Sequence, residues 1–288
     1  MTKGTLADRI RQQLGDLSPA ERRVGRVLLA DYPAAGFETV ATMAERARVS
    51  APTVLRFVSR FGYKGYPDFQ AGLRAETEAR SASPLSLYEA AGPAADERVH
   101  EESLLAEGRR IFTTALAQTY DELPPHDLER AIELLSDPKL RITLTGGRFT
   151  HHLAHYLALH LMQLRDRISV LSERPVERTA ALTGWGRRDV LIVFDYRRYE
   201  PDKTALAQLL HERGGRVILF TDTWLSPAAS HCEVVLSAQV TAPSPYDSLV
   251  PTMAVIETVV AGLVRALGER AHERLREGER LAREAGLV

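Results

Sequence analysis

Ala51, Pro52, Thr53, Arg56, Ser59 and Arg60 fall on one side of a short helical pattern, and Val54, Phe57, Val58 and Phe61 fall on the other. The apolar set follows the spacing i, i+3, i+4, i+7, which makes a single buried stripe. The open set combines short polar groups with long donors, the equipment for reading base edges in a DNA major groove. Thr53 is sized for a base edge or a thymine methyl, and Arg56 for a two-pronged bond to guanine. Arg48, Arg60 and Lys64 stand where backbone phosphates would be met, contacts that position without specifying. Ser50 precedes the pattern as a helix cap, and the amides beside it suit a phosphate. Ala51 and Pro52 complete this candidate DNA surface, together with Ser59. A plain helical hairpin with a solvated basic face fits the same pattern, and Arg48 occupies a turn position where glycine would ease a left-handed backbone.

A second set of residues lies where strands give way to loops. Gly146-Gly147-Arg148-Phe149-Thr150 separates an apolar run from a helical one, so its amides can meet an anion at a helix N-terminus. It is neither a dinucleotide fingerprint nor a P-loop, since the glycine spacing and the Lys-Ser/Thr pair are missing. Asp195-Tyr196-Arg197-Arg198-Tyr199, Thr221-Asp222-Thr223-Trp224 and Ser244-Pro245-Tyr246-Asp247-Ser248 follow three further apolar positions. His151 and His155 share a helical face, yet the glutamate of a zinc-protease motif and a third ligand are missing, so no metal is expected. His231 and Cys232 are adjacent, and on a strand adjacent side chains point to opposite faces, which favours a buried structural thiol over a nucleophile.

The elements that must carry these groups differ along the chain. Leu6, Ile10 and Leu14 share a helical face. Ser18-Pro19-Ala20-Glu21 has the form of a capping box with proline at the first helical position, opening a helix to about Tyr32. Thr39 caps Val40 to Ala47, and Gly62 stops the helix that begins at Ala51. Residues 1–78 therefore read as an all-helical domain. Residues 79–98, with Ser83-Pro84 and Gly92-Pro93, read as a linker. From residue 99 the pattern opens with helices near His100–Tyr120 and Leu128–Leu135. The apolar runs Leu140–Leu144, Ile168–Leu171, Val190–Phe194, Val217–Phe220 and Val234–Leu236 then alternate with helices at Thr150–Leu164, Lys203–Arg213 and Leu249–Leu267. A charged helix, Glu269–Glu284, follows. Alternation of this kind predicts an α/β domain over 99–288, with a parallel sheet between two helical layers and ligands taken at the carboxyl ends of its strands.

The residues Leu17-Ser18-Pro19-Ala20-Glu21-Arg22-Arg23-Val24, Met43-Ala44-Glu45-Arg46-Ala47, Val49-Ser50-x-x-Thr53-Val54-x-Arg56-Phe57 and Phe61-Gly62-Tyr63-Lys64-Gly65-Tyr66-Pro67 carry a resemblance. They look like the N-terminal domain of the RpiR family, bacterial transcription regulators with a C-terminal sugar isomerase (SIS) domain. Asp222-Thr223-Trp224-Leu225-Ser226-Pro227 and Tyr246-Asp247-Ser248 extend the resemblance into the second half. It implies double-stranded operator DNA as a partner, and a homodimer or homotetramer reading paired half-sites. SIS domains typically hold a phosphosugar with hydroxyl-rich loops, the main one usually reading Ser-x-Ser-Gly-x-Thr. This chain has Asp195-Tyr196-Arg197-Arg198-Tyr199-Glu200 there, and Phe149 stands where the first loop usually offers serine, with Thr150 next to it.

Two readings of the altered loops stay open. In one, Arg148, Arg197 and Arg198 grip the anionic group of a small metabolite, a phosphosugar or another anion, against Tyr196, Tyr199, Phe149 and Trp224. Gly146, Gly147, Thr150, Thr221 and Ser248 then complete the effector site. In the other, one or both loop arginines pair with Asp195, Glu200 or Asp202. An isomerase with Glu257 or Glu200 as base is the enzymatic alternative; it would not need the helix-turn-helix, and no catalytic residue or cofactor is expected.

Over residues 1–80 the chain has 13 Lys and Arg against 9 Asp and Glu, while the whole carries a net charge of −1. DNA binding through bulk positive charge is thus excluded, and a basic first unit on an acidic body fits two separate jobs. A single cysteine excludes an internal disulfide framework and a cysteine-rich zinc site. No apolar run approaches the ~20 residues of a membrane helix, and Met1 to Leu14 lacks a signal-peptide core, so a cytoplasmic protein without membrane contact is expected.

Overall fold

In a computed structural model, which describes residues 6–91 and 103–287, the chain divides into two units after Ala82. The first unit is all helix: α1 (Leu6–Gln13), α2 (Pro19–Ala30), α3 (Val40–Ala47), α4 (Ala51–Arg60) and α5 (Tyr66–Ser81), with a 3-10 turn at Ala34–Phe37. The capping box at α2 is complete. Ser18 Oγ accepts from the Glu21 amide at 3.3 Å, and the Glu21 carboxylate accepts from the Ser18 amide at 3.0 Å. A bond from the Ser18 side chain to the Glu21 carboxylate is the main cause that holds this carboxyl below its ordinary range. Thr39 Oγ1 accepts from the Thr42 amide and caps α3. Phe57 of α4 is buried in the core, its ring 4.9 Å from that of Phe61, in one cluster with Leu28, Met43, Val54, Phe69 and Leu73.

The second unit opens with α6 (Pro84–Ala91), so part of the stretch 79–98 is helical; residues 92–102, with the rest of that stretch and the expected helix start near residue 100, lie outside the described residues. It continues with α7 (Leu104–Glu122), α8 (Pro125–Ser136), β1 (Arg141–Gly146), α9 (His151–Leu164), β2 (Ile168–Val170) and α10 (Pro175–Thr183). Then come β3 (Asp189–Phe194), α11 (Pro201–Glu212), β4 (Arg216–Asp222), β5 (Val234–Ala238), α12 (Val250–Leu267) and α13 (Glu269–Glu284). The five strands are parallel in the order β2-β1-β3-β4-β5. β3 is buried along its whole length, as an unbroken apolar run between two helical layers must be. Ile142, Leu144, Ile192, Phe194, Ile218 and Phe220 face one layer, with Leu135, Leu157 and Ile256. Leu191, Val193, Val217 and Leu219 face the other, with Leu206 and Leu210. The fold is thus the expected three-layer α/β domain, and the strand order reverses between β1 and β3, which leaves a crevice at their carboxyl ends.

Two elements depart from the sequence reading. α10 buries no side chain, so it has no apolar stripe to announce it. α12, an 18-residue helix, does have the length and apolarity to cross a membrane, contrary to the expectation of no such run. Its apolarity has another use here: Val255, Ile256, Val259 and Leu263 are buried in the core over the sheet.

Phe57→Ala should destabilise the helical unit by about 3–5 kcal/mol, the usual cost of emptying a core aromatic site. Hydrogen exchange is the measurement. Amide protection should fall across α2 to α5 while β1, β3 and β4 keep theirs.

Candidate functional site

α3 and α4 meet through a turn at Arg48, whose φ of 51° and ψ of 53° are left-handed. The Arg48 amide closes onto the carbonyls of Ala44 and Glu45, and the Val49 amide onto Ala44. Arg23 reaches from α2 to the carbonyls of Ala47 and Arg48 at 3.2 and 3.5 Å, pinning the turn from outside. Ala51, Pro52, Arg56 and Ser59 are exposed on α4, as is Lys64 beyond it. Leu55 shares that exposure, an apolar residue that the stripe analysis passed over because it lies one position off the buried set.

Three expectations for this face are corrected. Thr53 is buried rather than outward, because its hydroxyl turns back to Ser50 Oγ at 3.0 Å and accepts from Arg56 Nη2 at 3.1 Å. Ser50 makes no side-chain cap bond, its hydroxyl being engaged with Thr53. Arg60 is exposed but tied sideways along the surface: Nη2 donates to the Asp16 carbonyl at 3.0 Å, and Nη1 stands 4.0 Å from Glu21.

In the second unit, the first loop after β1 is tied to β3. Thr150 Oγ1 accepts from the Gly147 amide at 2.8 Å and donates to the Phe194 carbonyl at 3.0 Å. A Cβ on Gly146 would lie 2.6 Å from backbone atoms of Thr150 and His151, so only glycine fits the turn into α9. The Arg148 amide donates to Glu200 Oε1 at 3.2 Å. The guanidinium of Arg148, like that of Arg198, is exposed and has no partner among the described residues.

The loop after β3 is built on carboxylates. Asp222, at the end of β4, accepts from the Arg197 amide at 2.7 Å, the Tyr199 hydroxyl at 2.6 Å and the Trp224 amide at 3.0 Å. Asp195 accepts from the Glu200 amide at 3.1 Å and from Ser226 Oγ. Both aspartates are buried, and burial pushes each carboxyl up to about 6 despite these bonds. The Arg197 guanidinium pairs with Asp247 through two donors and lies 4.7 Å from the Trp224 ring. Its side chain is 9% exposed.

Four further residues expected in the effector site are therefore structural in this geometry. Arg197 is held by Asp247, which is not among the acids that the spacing pointed to. Tyr196 is buried and its hydroxyl meets Thr252 at 2.7 Å. Thr221 is buried and accepts from the Ser226 amide, while Ser248 accepts from the Val250 amide. Gly146, Gly147, Arg148 and Thr150 lie together where the loop after β1 meets the end of β3, and Arg198 is exposed on the loop that follows β3. Glu200 and Asp222 are what sequence reasoning missed as builders of this site.

The other constellations resolve simply. Among the described residues no group of three or more His, Cys, Asp or Glu could hold a metal ion. His151 Nδ1 is instead 2.8 Å from the Arg148 carbonyl. Cys232 Sγ donates to the Ala228 carbonyl, and burial pushes the thiol up to about 12, which keeps it inert at neutral pH. Glu257 accepts from the Tyr156 hydroxyl.

Comparison with known proteins accounts for both units. Residues 4–80 match the model of a helix-turn-helix domain of the rpiR family, and residues 134–262 match the model of a SIS domain. The chain is 26% identical over 273 residues to a Pseudomonas aeruginosa protein named HTH-type transcriptional regulator HexR, covering 91% of this chain and 90% of that one. The sugar isomerase domain of an RpiR transcription factor from Sphaerobacter thermophilus is 28% identical, with a TM-score of 0.58 over 62% of this chain and 99% of that one. The Vibrio vulnificus NanR protein, solved as a complex with ManNAc-6P, shares the fold at 18% identity and a TM-score of 0.51, over 98% of this chain and 99% of that one.

Asp195 and Asp222 set the pH behaviour of the second unit. Each binds its proton more tightly folded than unfolded, where a carboxyl titrates near 4. The stability they contribute is therefore fully present at low pH and lost as pH rises through about 6. The urea midpoint of this unit should be higher at pH 5 than at pH 7, and Asp222→Asn should narrow that difference.

Proposed function

We propose that this chain, which belongs to the rpiR family and joins its helix-turn-helix domain to a SIS domain, regulates a metabolic operon in response to a small anionic metabolite. It is a transcriptional regulator and not an isomerase. The DNA surface we assign is the outer face of α4 and its flanks: Arg48, Ser50, Ala51, Pro52, Arg56, Ser59 and Lys64, with Leu55 added. The observation that carries the assignment is Arg56, exposed on α4 and oriented by a bond from its Nη2 to the buried Thr53 hydroxyl. A guanidinium set on the open face of a second helix is what guanine recognition in the major groove requires. Thr53 then acts by positioning Arg56, and Arg60 by fastening α4 to the first helices. Two such surfaces in a homodimer or homotetramer would read a roughly two-fold operator.

The effector reading rests on the crevice between β1 and β3, where Arg148 and Arg198 present unpaired guanidinium groups beside the exposed Phe149. Guanidinium forks suit carboxylate and phosphate alike. That the NanR protein of the same fold was solved as a complex with ManNAc-6P supports a small metabolite as the kind of ligand. A ligand that binds one arrangement of the protein better than another shifts operator affinity by that difference and no more.

Arg56→Ala should cost about 1–3 kcal/mol of operator affinity and relax preference at one base position. Lys64→Ala should instead weaken all sequences alike and flatten the salt dependence. Selection from a randomised DNA pool, followed by titration at several salt concentrations, separates the two; equal loss on every sequence for Arg56→Ala would overturn its role. For the effector, a thermal-shift screen of the full chain with phosphosugars, amino sugars, carboxylates and sulfonates is decisive. A ligand at ~100 times its Kd adds about 2.7 kcal/mol of stability. The shift should be lost in the Arg148→Ala, Arg198→Ala double variant, and silence with every anion would overturn the effector reading.

A further inference from the structure

The crevice between β1 and β3 already contains an anion, and it belongs to the protein. Amides at the start of a helix carry partial positive charge and draw carboxylates and phosphates alike. Here the Arg148 amide, just ahead of α9, is taken by Glu200 Oε1 at 3.2 Å. Glu200 Oε2 accepts from the Lys203 ammonium at 2.9 Å, and the Lys203 side chain is 3% exposed. An ammonium so far from water needs opposite charge beside it, which Glu200 and Asp202 both supply at 2.9 Å, so Glu200 is held by a shared cation as well as by the amide. Gly147 completes the fit: a Cβ there would lie 2.8 Å from Oε1. The amides of the next loop are satisfied in the same way, Arg197 by Asp222 and Glu200 by Asp195.

We infer that Glu200 determines the specificity of the effector crevice, its carboxylate filling the amide seat of the first loop and excluding a phosphate monoester from it. The inference rests on the reading that the effector binds at this end of the sheet. Carboxylate and phosphate compete here for the same donor and the same volume, and they repel. The anionic group of an effector must then lie outward, against Arg148 and Arg198. Whatever part of it meets Glu200 has to be a hydrogen-bond donor, a hydroxyl or an ammonium.

The test uses the full chain as wild type, Glu200→Ala and Glu200→Gln, with far-UV circular dichroism to establish that each is folded. Inorganic phosphate and glucose 6-phosphate are titrated calorimetrically. Glu200→Ala empties the seat, while Glu200→Gln keeps the side chain and removes its charge, so the second stands if the first fails to fold. Both variants should bind glucose 6-phosphate about tenfold or more tighter than the wild type, a gain equal to about 1.4 kcal/mol or more. Wild-type binding as tight as in the variants, or no gain in either, overturns the inference. The two failures differ. If the wild type answers to another anion while the variants gain nothing for phosphate, the effector reading stands and this inference falls. If the wild type is silent throughout while the variants gain phosphate, the effector reading falls and takes the specificity claim with it, although Glu200 does fill the seat.

Discussion

A carboxylate removed from water must find donors, and Asp222 finds three of them across two loops. Those bonds decide the course of the segment after β3. The Arg197 amide and the Tyr199 hydroxyl are both drawn toward the end of β4, while Arg197 swings its guanidinium onto Asp247. What is left over is Arg198, turned outward at a left-handed φ of 63°, and Glu200, delivered to the loop after β1. A parallel sheet leaves its strand ends to be closed by loops, and here the closure is made by acids where hydroxyls would be the familiar choice. The desolvation cost is visible in the raised carboxyls of Asp195 and Asp222, and a satisfied polar network offsets it.

The helical unit solves a different problem with similar means. Its short helices bury one stripe around Phe57, and the turn between α3 and α4 needs a left-handed residue. Arginine fills that place at a conformational cost that glycine would avoid, and the hydrogen bonds from Arg23 to the turn carbonyls help to hold it. Under the proposed DNA surface, Arg56 would meet a base already bonded to Thr53, so part of the side-chain entropy that a contact costs is lost in advance.

Local features were the legible ones. The Ser18–Glu21 capping box, the Thr39 cap, the odd turn at Arg48 and the apolar strands all announce themselves within a few residues of sequence. The family resemblance across the first 70 residues supplied the rest of the architecture. What resisted reading was long-range or contrary to habit. Glu200 and Arg148 are 52 positions apart, and no spacing rule links them. Asp222 and Thr53 carry polar side chains that usually face water, so their burial could only be seen with their partners in place. α10 has no buried face, and periodicity analysis therefore had nothing to detect. Leu55 shows the converse, an apolar residue facing outward at a position that pattern alone left unassigned.

The narrow gap between Gly147 and Glu200 also bears on how this crevice can change over generations. A side chain introduced at position 147 meets Glu200 Oε1, whose carboxylate is held through its other oxygen by a buried lysine, so that substitution alone requires Glu200 to shift. A replacement at position 200 by something shorter removes the obstacle. Only afterwards does position 147 become free to vary. The order of mutations is thus imposed by geometry, and lineages that acquire a new ligand at this site would be expected to pass through a change at residue 200 before any at residue 147.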